Sequence, residues 1–252
     1  MPARALVFLH GWSMSGAVFD DARQRLGRDF RCFAPDLPGH GAAPDLPLTI
    51  DGCVQVLQDL LVAQDLTGAV LVGWSMGATV AWRHAARFGV ARTAGIVSLD
   101  MSPRTVNDEG WRLGLRGQTA ATALAQTAWF RGHWPMAAAM IAEGMFGDAG
   151  TSPLMTAAQA EALIRTRDPD AMADLWDSLT CADARAGIAR LAVPLLVVHG
   201  AQSRLYGRDT ALWLARSAPR ARRVEFASAG HSPHLEAPAE FARVLAGFAA
   251  GL

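Results

Sequence analysis

Ser75 stands in Gly73-Trp74-Ser75-Met76-Gly77, where the apolar run Val70-Leu71-Val72 ends and an alanine-rich helical pattern begins. That order predicts a sharp strand-to-helix turn. The glycines suit it, because side chains at 73 and 77 would collide with the neighbouring strand and helix as the chain reverses. Such a turn lifts the Ser75 hydroxyl clear of the sheet. It also aims the Met76 N–H and the positive end of the following helix at the same small volume, where developing negative charge would be stabilised. The chemistry open to this serine is nucleophilic attack, provided that a base activates the hydroxyl.

A serine held this way needs a sizeable scaffold. At 252 residues, 51% of them hydrophobic, the chain is long enough for one large α/β domain with a substantial core, and no second independent domain is expected. The formal net charge is zero, so no global field recommends nucleic acid or an anionic membrane as a partner. All 23 basic residues are arginine, which excludes a Schiff base or a lysine nucleophile. Cys32, Cys53 and Cys181 are widely spaced and form neither a CxxC pair nor a metal-ligand pattern, so a reducing cytoplasm is expected and no metal site. No cofactor is implied by any motif. The stretch before the first apolar run is too short for a signal-peptide core, and no segment reaches the ~18 apolar residues of a membrane span.

The elements that would position Ser75 follow in order. Ala5–Leu9 reads as a buried strand delivering His10-Gly11-Trp12-Ser13 into a loop, and Arg31–Ala34 as a second strand before the turn Pro35-Asp36-Leu37-Pro38-Gly39-His40-Gly41. Residues 49–65 carry a helical stripe of Val54, Leu57, Leu60 and Leu61, with Thr49 or Asp51 as N-cap. The elbow strand and its helix reach about Phe88. Gly95–Leu99 is the next strand and closes on Asp100. Strands resume at Val193–Val198 and Arg223–Phe226, and a helix from Pro238 ends the chain. Six strands alternating with helices predict a mostly parallel, doubly wound sheet. Between 102 and 191 the alternation stops, leaving helical stretches broken at Gly110, Gly132, Pro135, Gly147, Pro153 and Pro169. The expected organisation is therefore a core of 1–101 and 192–252 with a helical cap of 102–191 inserted. The insertion's apolar residues are partly its own core and partly the wall of an apolar pocket, for which Trp111, Trp129, Phe130, Trp134, Met136 and Met140 are the expected contributors, with Trp12 and Trp74 from the core.

Taken together, His10-Gly11, Asp36-Leu37-Pro38-Gly39-His40-Gly41, Gly73-Trp74-Ser75-Met76-Gly77, an acid-bearing strand end and Gly230-His231 resemble the α/β-hydrolase fold over essentially the whole length. The resemblance implies an oxyanion hole made by the backbone N–H groups of Trp12 and Met76, and His231 as the base, with His234 its one rival. Many members carry an aspartate after the penultimate strand, in Gly-x-x-Asp. Here that stretch reads Gly200-Ala201-Gln202-Ser203. Some branches place the acid at the end of the strand after the elbow helix, so Asp100 is the expected third member of a triad, with Asp209 the alternative.

The implied activity is serine ester hydrolysis through an acyl-enzyme on short- or medium-chain esters, methyl esters included, as in the single-domain bacterial carboxylesterases that this chain resembles. A thioesterase, lactonase or carbon–carbon bond hydrolase would use the same triad, and a non-catalytic receptor-like protein would keep the fold and pocket. Ser75 disfavours dehalogenase and epoxide-hydrolase chemistry, which use an aspartate at the elbow. Arg104, Arg112, Arg116 and Arg131 in or near the insertion would suit an acidic acyl carrier protein as partner.

Overall fold

The computed structural model describes residues 3–252. Met1 and Pro2, the start of the expected core segment, lie outside the described residues. Six strands, β1 (Ala5–Leu9), β2 (Arg31–Phe33), β3 (Ala69–Trp74), β4 (Thr93–Leu99), β5 (Leu195–Gly200) and β6 (Ala221–Phe226), form one sheet in the order β2-β1-β3-β4-β5-β6. Every pairing is parallel. The central strands β1, β3 and β5 are buried at every residue, as near-continuous apolar runs covered on both faces should be.

The covering helices of the sheet are α1 (Asp20–Leu26), which packs with the C-terminal helix, and α2 (Ile50–Ala63), which packs with α3 (Met76–Phe88). Thr49, not Asp51, caps α2, its side chain accepting the Gly52 N–H. Between β4 and β5 lie α4 (Ala120–Gly144), α5 (Ala157–Arg165), α6 (Pro169–Thr180) and the short α7 (Arg185–Ala189). After β5 come α8 (Arg208–Ser217), α9 (Pro233–Glu236) and α10 (Pro238–Ala250).

Two of the expected breaks fall inside α4. Gly132 and Pro135 do not end it; the chain kinks at His133 (φ −134°, ψ 29°) and continues, so the helix turns where proline removes a backbone donor. Pro169 starts a helix instead of breaking one. It occupies the first turn of α6, where its missing N–H costs nothing, behind an Asp168 N-cap.

The strand order reverses between β1 and β3, and open parallel sheets bind ligands at such a point, outside the carboxyl ends of the strands. Backbone packs closely at the same place. A Cβ added to Gly77 would come within 2.0 Å of the Leu9 carbonyl oxygen, and one on Gly73 within 2.4 Å of the Gly77 backbone. Both obstacles are backbone, so neither can swing aside. Gly77→Ala is therefore expected to destabilise the fold by more than about 3 kcal/mol, read as the drop in urea midpoint. Gly247→Ala, with nothing within 4 Å of the added carbon, should leave the midpoint unchanged or raise it. A near-neutral Gly77→Ala would contradict this packing.

Candidate active site

The carboxyl ends of five strands supply the site. β3 ends at Trp74 and α3 starts at Met76, leaving Ser75 alone in the turn at φ 52°, ψ −122°. This is the left-handed half of backbone space, in which an L-residue is strained. It persists because Ser75 N–H is tied to the Leu99 carbonyl (3.0 Å) and the glycines let the strand and helix close on each other. Asp100, one residue past β4, has φ 44° and is held by its N–H on the Val198 carbonyl (2.8 Å).

Asp100 is buried and takes three side-chain donors. On Oδ2 are His231 Nδ1 at 2.7 Å and Ser203 Oγ at 2.6 Å; on Oδ1 is His199 Nδ1 at 2.8 Å. Burial alone would raise the pKa of this carboxyl, but the hydrogen bonds from His199 and His231, with the charges on those rings, outweigh it and hold Asp100 below the usual carboxylate range. Asp209 is not part of this group. It lies in the first turn of α8 and lines a surface cleft.

The loop carrying His231 is fixed by a residue that sequence reading passed over. Glu236 accepts the N–H groups of Gly147 (2.8 Å), Gly230 (2.8 Å) and Ser232 (3.1 Å). Trp74 adds a further tie, donating its indole N–H to the His231 carbonyl at 2.7 Å. His234 stands behind this layer, stacked on Phe19 and tilted against Trp74, both with centroids 4.7 Å away. Its two ring nitrogens have no protein partner among the described residues, and burial, with the His231 charge, lowers its pKa to about 3. It does not line the cavity that Ser75 and His231 share.

The loop after β1 is clamped by two histidines. His10 Nε2 accepts the Leu37 N–H (3.0 Å), and His40 Nε2 accepts the Ser13 N–H (2.9 Å). These contacts put the proton of each ring on Nδ1, which faces carbonyl oxygens of Gly11 for His10 and of Leu37 and Pro38 for His40. Burial lowers His10 to about 4 and His40 well below the usual value, so both remain neutral acceptors. Trp12 lies in the clamped loop. Its indole N–H donates to the Met172 carbonyl at 3.0 Å, joining this loop to α6.

Ser75, His231, Trp12 and Trp74 line one cavity of about 220 Å³. Of the aromatic and methionine residues expected there, Trp129, Phe130 and Met140 line it. Trp111, Trp134 and Met136 do not. Trp111 packs edge-on to Trp213 (5.0 Å) under the Arg185 guanidinium. The kink at His133 turns Trp134 behind Trp12, where it donates to the Ile164 carbonyl (3.0 Å), and turns Met136 out to solvent. Gln126, Ile141, Met145 and Trp176 line the cavity instead; Gln126, Phe130, Ala137, Ile141 and Met145 fall on one helical face. No lining residue is Asp, Glu, Lys or Arg. Among the described residues no group of three His, Cys, Asp or Glu side chains is placed to hold a metal ion.

An imidazole hydrogen-bonded through Nδ1 to a buried carboxylate, in a cavity with a serine on a strained turn, is equipped to take a proton from a hydroxyl and to be stabilised when charged. Residues 6–244 match the model of the alpha/beta hydrolase family. The chain belongs to that family. It is 33% identical over 242 residues to a protein of Chromobacterium violaceum named pimeloyl-[acyl-carrier protein] methyl ester esterase, covering 96% of this chain and 92% of the relative. A protein of the same name from Nitrosomonas europaea is 29% identical over 240 residues, covering 94% and 92%. Among solved structures, an esterase from Exiguobacterium antarcticum superposes with a TM-score of 0.89 at 20% identity (98% and 92% covered). The enol-lactonase from Burkholderia xenovorans superposes at 0.83 and 21% (98% and 92%); these two likenesses show the fold. Within the alpha/beta hydrolases the chain is a hydrolase of the carboxylesterase type.

The buried histidines make a prediction about this hydrolase's pH dependence. Burial depresses His10 and His84 to about 4, His234 to about 3 and His40 well down as well. In the unfolded chain each would protonate near about 6.5. Below that pH the unfolded state binds more protons, so these histidines withdraw stability as pH falls and cost nothing above it. Each fully engaged ring subtracts about 1.4 kcal/mol per pH unit. Urea midpoints are expected to be flat from pH 8 to 7 and to fall steeply between 6 and 5; a midpoint unchanged down to pH 5 would contradict the assignment of neutral rings.

Proposed function

We propose that the chain is a serine esterase in which Ser75 attacks an ester carbonyl, His231 takes its proton, and Asp100 orients and stabilises the resulting imidazolium. The His231–Asp100 hydrogen bond, directed by a ring that shares a cavity with Ser75, carries this reading. The N–H groups of Trp12 and Met76 form the oxyanion hole: one lies in the loop that His10 and His40 clamp, the other is the first residue of α3, at the positive end of its dipole. His231 then protonates the leaving alcohol, and water activated by the same ring releases the acid and frees Ser75.

Residues 102–191 act as the cap over this centre, with α4 and α6 supplying the apolar wall that receives the acyl chain. An uncharged, apolar cavity suits short- or medium-chain acyl groups, methyl esters among them. The named relatives extend the reading to a carrier-bound acyl ester. Of the four arginines expected to meet an acidic carrier, Arg131 holds Asp170 and Asp174, and Arg104 holds Asp108. Arg112 and Arg116 are exposed, form no ion pair among the described residues and edge a surface cleft beside Arg208, so these two are the carrier-facing pair. We place the activity in the cytoplasm, in keeping with three unpaired cysteines.

Steady-state hydrolysis of p-nitrophenyl esters from acetate to decanoate tests the chemistry. The wild type should turn over with an optimum at short or medium chains, Ser75→Ala should abolish activity, and Asp100→Asn should lower kcat by about 10²–10⁴-fold. An Asp100→Asn protein as active as wild type would remove Asp100 from the triad, and a wild type inert across the series would favour the receptor-like alternative. For the partner, Arg112→Glu with Arg116→Glu should raise KM for a carrier-bound methyl ester by about tenfold and leave a free methyl ester unaffected. Equal effects on both esters would contradict the docking assignment.

A further inference from the structure

The carboxylate of Asp100 has one donor whose purpose the triad does not explain. His199 lies inside β5, and the β4–β5 register pairs Leu99 with Val198, so Asp100, the residue just past β4, comes beside His199. The sheet itself therefore aims His199 Nδ1 at Asp100 Oδ1, at 2.8 Å. His199 does not reach the cavity that Ser75 and His231 line. Its outer side faces a separate void of about 10 Å³, bordered by Met101, Tyr206, Thr210 and Leu214, roughly the room of a single water molecule. The two imidazoles on Asp100 thus have different outlooks: His231 lines the cavity that holds Ser75, and His199 does not.

Building on the triad reading above, we propose that His199 is a positioning residue, which locks the Asp100 carboxylate through Oδ1 so that Oδ2 is presented, ionised, to His231. The need for a lock is physical. The torsion that rotates a carboxylate about its own axis has a broad, shallow profile, so one ligand on one oxygen does not fix its plane. Ser203 cannot provide the second anchor, because its hydroxyl shares Oδ2 with His231. The buried charge also needs donors: among the described residues no Arg side chain is paired with Asp100, and the groups that face it are His199 from β5, Ser203 from the loop after β5, His231 from the loop after β6, and Tyr206, whose hydroxyl is turned to Met101 Sδ (3.1 Å). Removing the His199 donor leaves a desolvated carboxylate with two donors on the same oxygen. Such a group takes up a proton at higher pH than the native one.

The test compares His199→Phe, which keeps a ring but no donor, with His199→Asn, whose side-chain amide can donate from near the position of Nδ1. In ester hydrolysis His199→Phe should lower kcat about 10- to 100-fold with KM within twofold, and move the acidic limb of the kcat profile to higher pH; His199→Asn should recover most of both. Direct carboxyl ¹³C titration of Asp100 by NMR, in the Ser75→Ala background, should show its protonation shifted upward in His199→Phe and restored in His199→Asn. That reading needs no turnover, so it stands apart from a failure of the esterase reading. An Asp100 titration unchanged in His199→Phe, or a kcat loss that neither moves the acidic limb nor responds to asparagine, would overturn the proposal and leave His199 as a packing residue.

Discussion

The buried negative charge of Asp100 is the constraint on which the rest of the site turns. A carboxylate taken out of water is costly unless hydrogen bonds replace its hydration. Here the replacement comes from three side chains on two different loops and one strand, His199, Ser203 and His231, which between them occupy both oxygens. Meeting that requirement fixes the end of β4 against the end of β5 and draws the His231 loop across both. Glu236 then secures that loop from its other side, through the backbone of Gly147, Gly230 and Ser232. The charge and its ligands thus define where the imidazole lies relative to Ser75.

A second set of interactions positions the opposite wall. His10 and His40, both neutral, accept backbone N–H groups from the 36–41 turn and the 10–13 loop, so each loop is braced by the other. Arg167 from beyond α5 donates to the Ser13 carbonyl at 3.0 Å, and the Trp12 indole donates to Met172 on α6. The segment between β4 and β5 is in this way fastened to the loop nearest the elbow. A movement of α6 away from the sheet would break the Trp12 contact.

Much of this was legible in the residues, for reasons that differ from one to the next. Gly73 and Gly77 announce the elbow because only glycine tolerates backbone at 2.0–2.4 Å from a would-be Cβ. Asp100 is visible because it closes an apolar strand and because Ser203 stands where an aspartate would be expected; in the structure Ser203 and His231 share one oxygen of Asp100. His199 belongs to no motif in the sequence. Its importance comes from the register of two strands almost a hundred residues apart in the chain, which no local pattern encodes. Glu236 was overlooked for a similar reason: its partners are backbone N–H groups, and those carry no sequence signature. On α4 the expected Trp129, Phe130 and Met140 line the cavity, whereas Trp134 turns to the Ile164 carbonyl and Met136 to solvent, because an apolar side chain on a helix signals burial without saying which face meets the cavity.

If Ser75 is, as proposed, a nucleophile made reactive by His231 under the control of Asp100, it should be open to covalent trapping. A fluorophosphonate ester, followed by intact mass and peptide mapping, is expected to add once to the wild type, on Ser75. The rate should fall by about 10²–10⁴-fold in Asp100→Asn, and no adduct should form in Ser75→Ala. An adduct on another residue, or an Asp100→Asn protein labelled as fast as wild type, would contradict the account.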